Sequence, residues 1–274
     1  MHAQRLREFI DRHDRLFVLT GAGCSTDSGI PDYRDADGAW KRSPPVQYGA
    51  FVGDEAVRQR YWARSLVGWP HFGFAKANAA HRVLATLEAA GAIDLLVTQN
   101  VDGLHQQAGS QRVIDLHGRL DTVVCLGCAD RTPRGELQQR LIDVNPGWAE
   151  RQAQVGPDGD VDLEAPDFAQ FQVPGCLRCG GMLKPDVVFF GEPVPRERVE
   201  AAFAGLERAD AVLVVGSSLM VYSGFRFVRA AAEAGKPVAA LNQGRTRADD
   251  LLTLKLDAGC AETLLALEAT ARCA

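Results

Sequence analysis

The chain has 274 residues, 46% of them apolar and 24% charged, and a net charge of −5. That is the balance of a globular protein able to bury a full core without disulfide staples, and it excludes disorder. The acidic balance argues against nucleic acid as a partner, because phosphate binding needs a basic face.

In chain order, Leu6, Phe9 and Ile10 fall on one face of a first helix. Leu16–Thr20 (LFVLT) follows as a continuous apolar run, the pattern of a strand buried on both faces in a parallel sheet. Runs of the same kind are Leu95–Thr98, Val113–Leu116, Val187–Phe190, Ala211–Val215 and Val238–Leu241. Helical patterns lie between several of them, at Ala79–Ala90, Val199–Leu206 and Phe225–Ala234. Such alternation predicts right-handed crossovers and an α/β fold, a doubly wound Rossmann-like parallel sheet.

Two stretches break the rhythm. Lys41–Phe74 carries Arg58, Arg60, Tyr61, Trp62, Arg64 and Trp69, and Asp121–Lys184 carries several prolines and four paired cysteines. Both read as insertions. Residues 1–40, 75–120 and 185–274 are therefore assigned to the Rossmann-like domain, and residues 41–74 and 121–184 to a smaller helical, metal-binding one.

No stretch reaches the roughly 20 apolar residues of a membrane span; the longest, Ala211 to Val221, contains Gly216, Ser217 and Ser218. The opening segment MHAQRLREFIDRHDR is charged throughout and lacks the apolar centre of a signal peptide. The expected location is the cytoplasm, with no membrane association. In that reducing compartment, cysteines point to metal or free thiols before disulfides.

Cys125-x-x-Cys128 and Cys176-x-x-Cys179 form two knuckles, each able to present two sulfurs to one ion. Gly127 lies inside the first and Gly180-Gly181 follow the second. Unrelated turns with free thiols are the alternative, but two such pairs are rarely accidental, and a redox dithiol needs only one. Four protein ligands leave no open coordination position, so the expected zinc is structural.

The first strand runs into GAGCSTDSGIPDYR, Gly21 to Arg34. A strand, glycines and a helix start make a phosphate cradle, in which main-chain N–H groups face an anion. Against the dinucleotide fingerprint, Thr26 stands where Gly or Ala belongs, and the acidic residue about 20 positions on is missing. A tight turn without ligand is the alternative. Gly216-Ser217-Ser218-Leu219 is a second cradle or an ordinary serine helix cap, and Asn242-Gln243-Gly244 closes a further strand. Polar strand ends along one sheet edge are where α/β folds bind ligands. Thr98–His105 (TQNVDGLH) adds Gln99, Asn100 and Asp102, whose short polar groups read hydroxyls or an amide, with Asp102 alternatively a helix cap. His117, closing a strand before Gly118, has a ring suited to general base work near neutral pH, or is simply a hydrogen-bonded structural histidine.

GAGxS with PDYR, TQNVDGLH, HG, two CxxC pairs, PDVVFFGE (Pro185–Glu192), GSS and an Asn after a strand occur here in the order of the sirtuins, and the resemblance spans nearly the whole chain. Arg58–Pro70 (RQRYWARSLVGWP) and the long segment between the knuckles resemble class II members. The resemblance implies an NAD-dependent protein-lysine deacylase that consumes NAD as co-substrate. Its products are free lysine, nicotinamide and acyl-ADP-ribose, and its substrates acylated lysines on proteins or peptides. It implies that Gly21, Ala22, Gly23 and Ser25 hold the pyrophosphate and that Arg34 sits in the cofactor loop with Ile30, Asp32 and Tyr33. Gln99 and Asn100 would meet the nicotinamide ribose, Asn100 taking part in catalysis, while Asp102, beside Val101, meets the carboxamide. Gly216, Ser217 and Ser218 would serve the phosphate and adenosine ribose, Asn242, Gln243 and Gly244 the same ribose, and Cys260 the adenine. His117 would be the base. The peptide would pair with Val188, Phe189, Phe190 and Gly191, and Tyr61 and Arg64, three apart on a helix, would read an acidic or longer acyl group.

Protein ADP-ribosylation on the same fold is the alternative transfer. A zinc-containing dehydrogenase is disfavoured by the missing ribose-binding acid, and a zinc-ribbon nucleic-acid module by the acidic balance.

Overall fold

The computed structural model describes residues 1–33, 35, 37, 39, 41, 45–151, 154–155, 161–163 and 167–271; Arg34 lies outside the described residues. In chain order the first elements are α1 (His2–Asp11), β1 (Leu16–Thr20), α2 (Tyr48–Gly53), α3 (Glu55–Gly73), α4 (Ala79–Ala89) and β2 (Ile93–Thr98). Then come α5 (Leu104–Gln107), β3 (Val113–Asp115), β4 (Gly118–Cys125), β5 (Arg131–Pro133), α6 (Arg134–Val144), β6 (Gln154–Val155) and β7 (Val161–Asp162). The last are β8 (Leu183–Val187), α7 (Arg196–Arg208), β9 (Ala211–Val215), α8 (Tyr222–Glu233), β10 (Val238–Leu241), β11 (Leu254–Leu256) and α9 (Cys260–Ala271). They fall into two compact units: residues 1–42, 76–116 and 194–274, and residues 43–75 and 117–193.

The larger unit is built on a parallel six-stranded sheet in the order β11-β10-β9-β1-β2-β3. Every residue of β1 is buried, and its side chains alternate between two cores. Leu16 and Val18 join Leu6, Phe9 and Ile10 of α1, Val83 and Leu84 of α4 and Leu264 of α9. Phe17 and Leu19 join Leu206 of α7 and Phe227 and Val228 of α8. A continuous apolar run is what burial on both faces requires. Strand order reverses beside β1, so the loops after β1 and β9 flank the switch point where doubly wound folds bind ligands. β11, a short half-buried edge strand, carries no apolar run to announce it.

The expected parallel-sheet strand at Val187–Phe190 is corrected by the structure. β8 ends at Val187 and runs antiparallel to β4, with Val187 opposite Gly118 and Leu183 opposite Cys125. It is the edge of a three-stranded sheet ordered β5-β4-β8. Pro185 explains the placement, because proline lacks the ladder N–H and is confined to edges. The pairing carries residues 117–120 and 185–193 into the smaller unit. Gly118, with φ of +81°, admits no side chain here: a Cβ would stand 2.0 Å from the Asp186 carbonyl oxygen.

The smaller unit buries Phe51, Trp62, Leu66, Leu141 and Phe171. Arg134, only 1% exposed, is buried with them. Its guanidinium lies over the Trp62 and Trp69 rings, at 5.5 Å and 5.1 Å from their centroids, and donates to the carbonyl and hydroxyl oxygens of Ser65. Its Nη1 has no partner, and burial pushes its pKa down to about 10.

Candidate functional site

In the larger unit, the sequence after β1 forms two three-residue 3-10 turns, Ala22–Cys24 and Thr26–Ser28, and not the regular helix that a phosphate-cradle reading expects. The glycines have a reason other than ligand approach. A Cβ on Gly21 would fall 2.8 Å from the Ser217 Cβ, one on Gly23 3.1 Å from the Gly216 Cα, and one on Gly216 2.2 Å from the Cys24 nitrogen. The loops after β1 and β9 are packed backbone to backbone, and only glycine allows it. Thr26, which departs from the dinucleotide fingerprint, lies beyond this contact.

The packed loops leave main-chain donors open. The N–H groups of Ala22, Ser217 and Ser218 have no hydrogen-bond partner among the described residues. They stand at the carboxyl edge of β1 and β9, and such open donors suit a pyrophosphate.

Around them the sequence-chosen side chains bond to one another. The Ser25 hydroxyl donates to Asp102 Oδ2 at 2.7 Å and accepts from Asn100 Nδ2 at 3.0 Å. Asn100 Nδ2 also reaches the Gly21 carbonyl, at 3.0 Å. Gln99 donates to the Ser217 hydroxyl at 2.7 Å, and the same hydroxyl accepts from the Leu219 N–H at 3.2 Å. Ser217 thus closes a local turn and bonds the segment after β2, and it caps no helix, because the N-cap of α8 is Val221. Asp102 is not the helix cap: the N-cap of α5 is Gly103, and Asp102 Oδ1 accepts from the Leu104 N–H at 3.0 Å across the turn before it.

Sequence reading missed His81. Asn78 caps α4 in a capping box, and its N–H donates to His81 Nδ1 at 3.3 Å. That leaves the proton on Nε2, which faces the Ser25 hydroxyl at 3.4 Å and the Cys24 thiol at 4.0 Å. Ser25 therefore accepts from two side chains, and its own proton is directed to Asp102. Burial pushes the His81 pKa down to about 4, against the pull of Asp102. Asn78 to His81 is a capping-box spacing, and that was the available signal. Cys24, His81 and His105 offer ligand atoms within 4.8 Å of one another. The Nε2 proton of His81 points into that cluster, so it is a hydrogen-bonded group and not a metal site.

The other chosen residues lie outside this network. Asn242 donates to the Gln243 carbonyl at 2.8 Å, and the Gly244 N–H bonds Asp257. Cys260 opens α9, with its thiol pushed up to about 12 by burial. Ile30 is buried, Asp32 pairs with Lys41 at 2.5 Å, and the Tyr33 carbonyl accepts from the Lys41 N–H. Val101 follows Asn100 in the turn before Gly103.

In the smaller unit, His117 directly precedes β4, and its carbonyl accepts from the Val188 N–H at 2.7 Å. The segment after β8 is therefore held beside His117. The Phe190 carbonyl accepts from the Tyr48 N–H at 2.8 Å, whereas the Val188 carbonyl and the Gly191 N–H have no partner among the described residues. Tyr61 packs edge-on against Phe51 and Phe189, each with ring centroids 5.3 Å away. Arg64, on the same helix, donates from Nε to the Val161 carbonyl at 2.6 Å.

The four paired cysteines converge. Cys125 and Cys179 Sγ are 3.5 Å apart, and Cys128 and Cys176 Sγ 3.8 Å. A tetrahedron with arms of about 2.3 Å has edges of about 3.8 Å, so the sulfurs fit one zinc ion. The N–H groups of Gly127, Arg178 and Gly181 point at the Cys125, Cys176 and Cys179 sulfurs at 3.3–3.4 Å. The register that places Leu183 opposite Cys125 brings the two knuckles to one end of the β4–β8 pair.

The family model described as the Sir2 family matches residues 21–223. A protein of Xanthomonas campestris named NAD-dependent protein deacetylase is 68% identical over 96% of this chain and 90% of its own length. The bovine NAD-dependent protein lipoamidase sirtuin-4, mitochondrial, is 51% identical over 95% of this chain and 84% of its own. Among solved structures, one described as Sir2 with a p53 peptide and NAD+ is 29% identical, with a TM-score of 0.81 and full coverage of both chains.

Proposed function

The chain belongs to the Sir2 family and is an NAD-dependent protein deacylase, and we propose that His117 is its general base and Val188–Gly191 the edge that receives the acylated peptide. NAD is its co-substrate and the zinc is structural. When bound, NAD supplies an activated ribose carbon that takes up the acyl oxygen as nicotinamide leaves.

This chain's residues supply position and proton transfer. The open N–H groups of Ala22, Ser217 and Ser218 receive the pyrophosphate. Asp102, which accepts from the Ser25 hydroxyl and the Leu104 N–H, is an acceptor for the carboxamide amino group. Asn100, tied to Gly21 and Ser25, and Gln99, tied to Ser217, meet the nicotinamide ribose. Ile30, Asp32, Tyr33, Val101 and Gly216 line the same cofactor, with Asn242, Gln243, Gly244 and Cys260 at its adenosine end. His117 takes the proton from a ribose hydroxyl.

The observation that carries this reading is the 2.7 Å bond from the Val188 N–H to the His117 carbonyl. It fixes the base next to a backbone edge with unpaired groups, to which a peptide adds as a strand and delivers its lysine. A cytoplasmic location goes with the thiols, since a reducing compartment keeps four cysteines available for zinc.

The test is incubation with NAD and an acyl-lysine peptide, following nicotinamide and the deacylated mass. His117→Ala is expected to lower turnover about 100-fold or more at saturating substrates, with zinc retained. Wild-type turnover in that variant removes His117 from the mechanism.

A further inference from the structure

Lys184 is nearly absent from the surface, at 3% exposure, although lysine is almost never fully buried unless paired. Its ammonium has three protons and, among the described residues, three acceptors. They are the Val187 carbonyl, the Pro185 carbonyl at 3.2 Å and Glu192 Oε2 at 3.1 Å. The same Glu192 oxygen accepts from the Phe189 N–H at 2.9 Å, and the Glu192 N–H returns to the Phe189 carbonyl at 3.0 Å. The Phe189 ring lies 4.8 Å from the ammonium. One cation thus holds the chain at Val187 and, through Glu192, on the far side of Gly191. The four residues between are Val188, Phe189, Phe190 and Gly191.

A buried ion pair is weak evidence for stability, because desolvation offsets most of the attraction and apolar packing replaces it at little loss. What apolar packing does not reproduce is the direction of each bond. Gly191, with φ of +80°, turns the chain between the tether points, and its N–H is left open together with the Val188 carbonyl.

We propose that Lys184 is a positioning residue for substrate: with Glu192 it clamps the Val188–Gly191 segment so that its unpaired groups are presented in strand register to the incoming peptide. The proposal rests on the reading that this segment takes the peptide. The clamp acts on peptide binding and leaves NAD binding and the zinc site alone.

The test uses the full-length zinc-loaded protein as Lys184→Met and as Lys184→Met/Glu192→Gln. The double variant has no unpaired buried charge and keeps an acceptor for the Phe189 N–H, so it remains folded where the single variant does not. In the double variant the peptide KM is expected to rise about tenfold, the scale of one or two main-chain hydrogen bonds. The kcat and the NAD KM stay within about twofold of wild type, the split expected when only binding is lost. Unchanged peptide KM, or an equal rise in both KM values, overturns the clamp. A peptide N-methylated beside its acyl-lysine separates this from the underlying reading. If N-methylation leaves the wild-type KM unchanged, strand pairing itself fails. If it weakens the wild type but the double variant binds the unmethylated peptide normally, pairing stands and the clamp fails.

Discussion

Acidification is expected to loosen the larger unit through His81. Burial keeps this ring neutral when folded, pushing its pKa from 6.5 to about 4; Asp102 opposes the shift and Arg82 adds to it. The unfolded chain therefore binds the proton more readily than the folded one. Stability is complete above about pH 6.5 and falls as the pH drops towards 4. At about pH 5 the two pKa values give a loss of about 2 kcal/mol from this one side chain. The structural cause is that protonating Nδ1 turns it from acceptor to donor against the Asn78 N–H, which opens the capping box of α4. His105, whose pKa burial also lowers, adds a loss of the same sign. Replacing His81 with glutamine keeps an acceptor and a donor but removes the titration. Urea unfolding followed by circular dichroism at a series of pH values compares the two proteins. His81→Gln should lose about 2 kcal/mol less than wild type between about pH 7.5 and about pH 5. Parallel pH dependence in the two proteins refutes the neutral, Nε2-protonated ring and the hydrogen bonds assigned to it.

Cys176→Ala leaves three thiolates, and metal analysis should find zinc lost and the smaller unit destabilised, because binding free energy of structural zinc is folding free energy; zinc-free wild type with full activity contradicts it. Arg134→Met removes a buried charge that no carboxylate balances, so urea unfolding should show a change of no more than about 1 kcal/mol, where breaking a buried pair costs about 3–5; a loss of that larger size refutes the uncompensated reading. Acyl peptides compared at equal concentration should show longer chains removed better than acetyl, with Arg64→Met lowering the preference for an acidic chain such as glutaryl over a neutral one. Acetyl as best substrate, or an unchanged ratio in Arg64→Met, sinks that assignment, and the bond from Arg64 Nε to Val161 makes this the sharpest comparison.

The sheet was legible because burial on both faces writes an apolar run, and five of the runs are parallel strands at or near the expected positions. The sixth, Val187–Phe190, shows the limit. Hydrophobicity says that a segment is buried but not beside what, and here Pro185 was the mark of an edge. The zinc ligands were legible because thiolate chemistry fixes their spacing. The glycines that the sequence offers as room for phosphate also make room for another loop, a packing role that no spacing in the sequence announces. His81, Lys184 and Glu192 act through distances across the fold, between segments that the sequence does not pair.

A folded chain closes almost all of its buried backbone and side-chain hydrogen bonds, so the open groups carry information. In the larger unit, Ser25, Asn100, Asp102, Gln99 and Ser217 satisfy one another with no ligand needed to hold them in place. Preorganisation of this kind is expected to limit reorganisation on NAD binding, and in the proposed reading the N–H groups open among the described residues, at Ala22, Ser217 and Ser218, receive the pyrophosphate. The smaller unit follows the same logic. The Lys184 ammonium is saturated, the Val188 N–H is spent on His117, and the Val188 carbonyl and Gly191 N–H remain. In the proposed reading the mutually bonded side chains set the geometry, and the open main-chain groups add direct contacts to the substrates. Substitutions of the first kind should therefore act on how tightly the second kind bind, which is why the Lys184 variants are read in KM.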